Sequence, residues 1–215
     1  MSSITLAPDA SGSAIFTVAA PNSSTNQTLT LPDATATLVG DSATQTLTNK
    51  TISGGSLSGV SGAITQGTAQ ASTSGTVIDF TGIPSWVKRI TVMFNETSTS
   101  GTSLKLVQIG STTFTTSGYA SSSSLLTTGI NTQQSTAGFV LSQNVAAELS
   151  SGAFTLINYE GNTWVSTHAV RNNNPGNAFG AGIVTLSGVL DRVRVTTVNG
   201  TDTFDAGSIN IMYEG

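Results

Sequence analysis

The sequence predicts an all-β protein: an N-terminal region of small strands that oligomerises, followed by an antiparallel β-sandwich of jelly-roll type. Three observations carry that expectation. Short runs that alternate apolar with polar residues recur along the chain, broken by Gly, Asn and Pro. Charged residues make up 8% of the 215 residues, against roughly 25% in an average soluble protein, so Ser, Thr, Asn and Gln must cover the surface. Twelve of the 13 aromatic residues follow Thr76, as do six of the seven Lys and Arg residues. That shift divides the chain into residues 1–52, a Gly/Ser-rich connector over 53–75, and a sandwich over 76–215.

In the first region a T-x-T-L pattern recurs as Thr28-Leu-Thr-Leu31, Thr35-Ala-Thr-Leu38 and Thr44-Gln-Thr-Leu47. Alternation places the two threonines of each unit on one face and the leucine on the other. Segments 4–6 and 15–18 follow the same scheme. One leucine or valine per strand does not make a monomeric core, so the missing apolar area has to come from other copies of the chain. Leu31, Leu38 and Leu47 are the expected contacts of a homotrimer. The other reading is an arm that orders on a partner protein.

In the second region the alternation predicts strands over 76–80, 87–95, 104–109, 138–141, 154–159, 163–170, 183–186, 190–197 and 208–213, with turns at Glu160-Gly161-Asn162 and Asn199-Gly200. That rhythm is the rhythm of a sandwich or jelly roll. Only 144–150 resembles a helical turn.

The chemistry-bearing residues are few. A formal charge of −4 and a pI near 4.6 leave no basic stripe for nucleic acid. Cysteine is absent, so there is neither a disulfide framework nor a thiolate metal site. No run is long enough to span a membrane, and the first residues lack the basic and apolar parts of a signal peptide, which predicts synthesis in a cytoplasm. The five Asn-x-Ser/Thr triplets arise by chance in so Ser/Thr-rich a chain. His168 is the single histidine, and no G-x-S-x-G turn accompanies it. Asp202 and Asp205 sit in a segment whose spacing does not match a calcium loop and which reads as turn chemistry. Gly180-Ala-Gly182 opens an apolar strand without the helix that a dinucleotide fingerprint needs. The expectation is a protein that is not an enzyme and takes no metal or cofactor.

Recognition has one candidate stretch. Tyr159 and Trp164 flank the Gly161 turn, His168 follows on the same strand, and Arg171, Asn172, Asn173 and Asn174 form a polar run rich in amides. Aromatic faces with amide and guanidinium donors suit a hydroxylated ligand; core packing is the commoner fate of strand aromatics.

At these residues the chain resembles tail-fibre and related virion proteins of tailed bacteriophages. In the first region the resemblance lies in Ile4-Thr-Leu-Ala-Pro8, Thr28-Leu-Thr-Leu-Pro-Asp-Ala34, Ala36-Thr-Leu-Val39 and Thr46-Leu-Thr-Asn-Lys-Thr-Ile52. In the second it lies in Ile78-Asp-Phe-Thr-Gly-Ile-Pro-Ser-Trp-Val-Lys-Arg-Ile90 and Asp202-Thr-Phe-Asp-Ala-Gly-Ser-Ile-Asn-Ile211. The resemblance implies a virion location, trimeric assembly, an N-terminal part docked to other virion proteins and a distal β domain facing a host-surface glycan or protein. It carries no catalytic residues over. The chain is short for such a fibre and has no coiled-coil shaft. A purely structural decoration or connector protein of head or tail is the competing class, and a glycan depolymerase comes third.

Overall fold

The computed structural model describes residues 24–26, 64–143, 145–174 and 176–215. The chain divides into two units, Met1–Gly54 and Gly55–Gly215, and every strand among the described residues belongs to the second. The small threonine strands expected before residue 53, with Leu31, Leu38 and Leu47, lie outside the described residues.

Every regular element among the described residues is a strand. In chain order they are β1 (Thr65–Gln66), β2 (Gln70–Ala71), β3 (Ile78–Thr81), β4 (Arg89–Thr99), β5 (Lys105–Ser111), β6 (Thr113–Phe114) and β7 (Ala120–Leu126), then β8 (Ile130–Ser135), β9 (Phe139–Leu141), β10 (Ser150–Glu160), β11 (Thr163–Asn172), β12 (Gly176–Thr185), β13 (Arg192–Thr197) and β14 (Phe204–Glu214). They form two antiparallel sheets. The large one runs β1-β14-β4-β10-β11-β12-β7-β8 with β2 also on β14; the small one runs β3-β13-β5-β6 with β9 also on β5. The all-β sandwich expected from the alternation is what the chain forms.

Alternation decides which residues fill the space between the sheets. Ile90, Val92 and Phe94 of β4, Phe154 and Leu156 of β10, and Ile209 and Ile211 of β14 point inward from the large sheet. Val107 and Ile109 of β5 and Val193 and Val195 of β13 meet them from the small sheet. Each such side chain contributes about 1.5–3 kcal/mol by leaving water. The interleaved positions Thr91, Met93 and Thr155 face outward. On the outside of the small sheet, Arg194 forks onto Asp79 through two bonds of 2.7 Å and lies 4.0 Å over the Phe114 ring. Trp86, after the Pro84 turn, packs partly buried against the core with its ring 5.9 Å from that of Tyr213.

Four features depart from the expected elements. β1 and β2 fall within the 53–75 stretch that the composition marks as a connector, where they add to the edge of β14. β7 and β8, in which nine of the 13 residues are Ser, Thr, Gln or Asn, are strands that hydropathy alternation does not predict. β12 begins at Gly176 rather than 183. The segment 144–150 holds no helix among its described residues: 145–147 bend and turn, Ala147 adopts a φ of 57°, and Ser150 already belongs to β10.

β7 belongs to the fold because serine is small and can bond a neighbouring backbone. Its inward Ser121 and Ser123 hydroxyls accept the N–H groups of Val140 (2.9 Å) and Ser142 (3.1 Å) beside β9, and Ser142 Oγ donates back to the Ser123 carbonyl at 2.8 Å. Side chains thus pin the edge of the small sheet to the large one, satisfying backbone groups that would otherwise be buried without partners.

Candidate functional site

The seven residues expected to contact a receptor do not converge. Tyr159 is 72% exposed at the β10–β11 turn. Arg171, Asn173 and Asn174 lie at the far end of β11, roughly 30 Å away by strand rise. There Arg171 meets Glu96 at 3.7 Å, and Asn173 Oδ1 accepts the Leu149 N–H at 2.9 Å. Trp164, His168 and Asn172 are buried. Their positions share the inward face of β11 with Val170, on the core side of the strand.

His168 shows what that position does. Its ring stacks on Phe154 at 4.7 Å, and Nε2 meets Ser123 Oγ at 3.0 Å. The ring fits because residue 180 on the neighbouring strand is glycine: a Cβ there would stand 2.3 Å from His168 Cε1. Burial pulls the pKa down to about 4, so the imidazole is neutral at physiological pH. Its Nδ1 is buried without a hydrogen bond.

What the fold does gather is the outer face of the large sheet. The register places Thr155, Thr167, Ala181, Ser122 and Gln134 in one row across β10, β11, β12, β7 and β8. The next row carries Ala153, Ala169, Phe179, Ser124 and Thr132. Two depressions lie on this surface. One, of about 590 Å³, is lined by Ala120, Ser121, Ser122, Gln134, Ser135, Thr136 and Ala181 around the edge of Tyr119. The other, of about 470 Å³, lies between Phe179, Ala153, Thr155, Thr167 and Ala169 with the neutral His168 beneath. Thr167 and Ala181 are cross-strand partners, so the two adjoin.

The chemistry of this face is specific in two ways. Neither depression is lined by Asp, Glu, Lys or Arg. Its polar groups are also unequally engaged: Ser124 and Thr132 bond each other at 2.9 Å and Thr163 and Thr185 at 3.0 Å, whereas Ser122 and Gln134 spend no side-chain hydrogen bond on the described residues. Phe179, 46% exposed, stands beside them. An uncharged surface with a ring face and spare hydroxyl and amide groups suits a neutral polyhydroxylated ligand. The signal in the sequence is the alternation Asn177-Ala-Phe-Gly-Ala-Gly-Ile183, whose small residues mark the inward phase and whose Phe179 marks the outward one.

A second concentration of polar groups is wholly buried. Lys105 Nζ donates to Gln143 Oε1 and to Ser150 Oγ, and Ser150 Oγ in turn bonds Asn172 Oδ1 at 3.0 Å. Burial lowers the lysine pKa from 10.5 to about 8 against the opposing influence of Glu148 and Asp205. Elsewhere Asp202 accepts the Ser103 N–H at 3.0 Å and an Asn199 Nδ2 donor at 2.6 Å, and Asp205 bonds Ser98 Oγ. Both carboxylates are thus held in turn and strand contacts.

The chain matches no family model, no curated protein and no solved structure.

Proposed function

We propose that the chain is a structural protein of a tailed-bacteriophage virion, a short trimeric tail fibre whose C-terminal domain contacts a host-surface glycan. The observation that carries this reading is the pair of depressions without charged lining on the outer face of the large sheet, where Phe179 stands beside the spare hydrogen-bonding groups of Ser122 and Gln134. A sugar stacks its C–H surface on such a ring and bonds its hydroxyls to such groups. The virion-protein resemblance of 78–90 and 202–211 supports the setting.

The topology suits that role. The chain enters the sandwich through β1 and β2, which lie on β14 at one edge of the large sheet, while β7 and β8 lie at the other. Trimerisation multiplies a weak single-site contact by avidity, about 10²-fold or more. The protein performs no catalysis in this reading, carries no cofactor and enters no membrane.

The decoration or connector reading is favoured by a different observation. Ile157 and Ile183 are 41% and 44% exposed on the same outer face, apolar area that a neighbouring virion subunit would cover. Gold labelling of intact virions separates the two. Label at the distal end of the tail fits the fibre; label over the head or along the tail tube would replace it with the structural reading.

A further inference from the structure

The row Thr155, Thr167, Ala181, Ser122 and Gln134 runs straight across β10, β11, β12, β7 and β8 and through both depressions. Its first two members line the one beside Phe179, and its last three line the other. From β10 to β8 the row spans about 19 Å by strand spacing. Thr155, Thr167, Ser122 and Gln134 spend no side-chain hydrogen bond on the described residues, so every floor position except Ala181 offers a free hydroxyl or amide. Ala181 is the pass between the depressions. Along β12 it stands between Phe179 and Ile183, which are 46% and 44% exposed and lie roughly 13 Å apart by strand rise. The result is a trough wide enough for one sugar ring and long enough for several. Thr91 of β4 continues the row beyond Thr155, and β8 is the last strand of the sheet among the described residues, so the row runs on at one end and off the sheet at the other. The flanking rows, from Ala153 through Phe179 to Thr132 and from Ile157 through Ile183 to Ala120, carry no Asp, Glu, Lys or Arg.

On the glycan reading above, we infer that the two depressions are one site, a trough that takes an internal stretch of a linear, uncharged polysaccharide laid across the strands. Such a ligand rests the C–H face of one ring on Phe179. Its hydroxyls bond Thr155 and Thr167 on one side of Ala181, and Ser122 and Gln134 on the other. A terminal sugar would fill one depression and use half of these groups. A charged polysaccharide would find no opposite charge among them and would lose hydration without a partner.

Size-graded fragments of host envelope polysaccharide, titrated against the full-length protein at low and at high salt, test this. Affinity is expected to rise by roughly tenfold or more between single sugars and fragments long enough to fill both depressions. It is expected to change by less than about twofold between the two salt conditions, since no charge is neutralised on binding. Ala181 is exposed, so Ala181→Gln fills the pass with an uncharged side chain without touching the core. That variant is expected to bind long fragments no better than short ones, while its circular dichroism and its binding of single sugars stay as in wild type. Equal affinity for single sugars and long fragments overturns the single trough, and binding that collapses at high salt overturns the uncharged ligand. Failure of every fragment to bind overturns the glycan reading itself, and binding of a purified virion protein that is lost in Ala181→Gln would then give the trough to a neighbouring subunit.

Discussion

His168 illustrates how one side chain couples packing to pH. Its folded-state pKa of about 4 lies below the 6.5 of the free group because burial penalises the cation. Between those values the unfolded chain binds the proton and the folded one does not, so stability rises with pH across that window. The contribution is complete above pH 6.5 and is lost progressively as pH falls towards 4; a difference of this size amounts to about 3 kcal/mol. Urea unfolding at pH 7, 5.5 and 4 is expected to show that decline in wild type and a flatter profile in His168→Phe. Equal declines in the two proteins would assign the acid sensitivity to other groups.

At the scale of elements, the sandwich is held at its β7–β9 side by hydroxyls as well as by hydrocarbon. Ser123→Ala removes the acceptor of the Ser142 N–H and the partner of His168 Nε2, leaving buried groups unsatisfied at a cost of about 1–3 kcal/mol. Ser124→Ala, one residue on and facing out, is expected to change stability by less than about 0.5 kcal/mol; denaturant midpoints of the two variants check the contrast. The same strand explains what can be foreseen. β4, β10, β11, β13 and β14 are legible because β-branched and aromatic residues alternate with polar ones. β7 and β8 are not, since a serine run carries no hydropathy contrast and its inward phase is set by partners distant in sequence. β12 is half legible: glycine and alanine fill its inward positions where His168 and Phe139 need room, and small residues look like loop. The expected recognition residues fail to converge for a reason the sequence does contain. Trp164, His168 and Asn172 are in phase with Val170, so a strand that buries Val170 buries all of them.

For the whole molecule, the threonine strands expected before residue 53 motivate a trimer, and sedimentation of the purified chain is expected to give that mass; a folded monomer independent of concentration would contradict it. Replacing Leu31, Leu38 and Leu47 together by Ser is expected to weaken the assembly while the sandwich keeps its β-sheet circular dichroism. In the proposed reading, receptor contact falls on the two depressions of the large sheet's outer surface, away from the hairpin end that carries Tyr159 and from the far end of β11 that carries Arg171. Binding of full-length protein to host cells measures this most directly, with Phe179→Ala and Gln134→Ala set against Tyr159→Ala and Arg171→Ala. Each of the first pair is expected to weaken binding by roughly tenfold, and the second pair to bind like wild type. Loss of binding in Tyr159→Ala or Arg171→Ala, with Phe179→Ala and Gln134→Ala unaffected, would move the receptor contact off the two depressions and overturn the proposal.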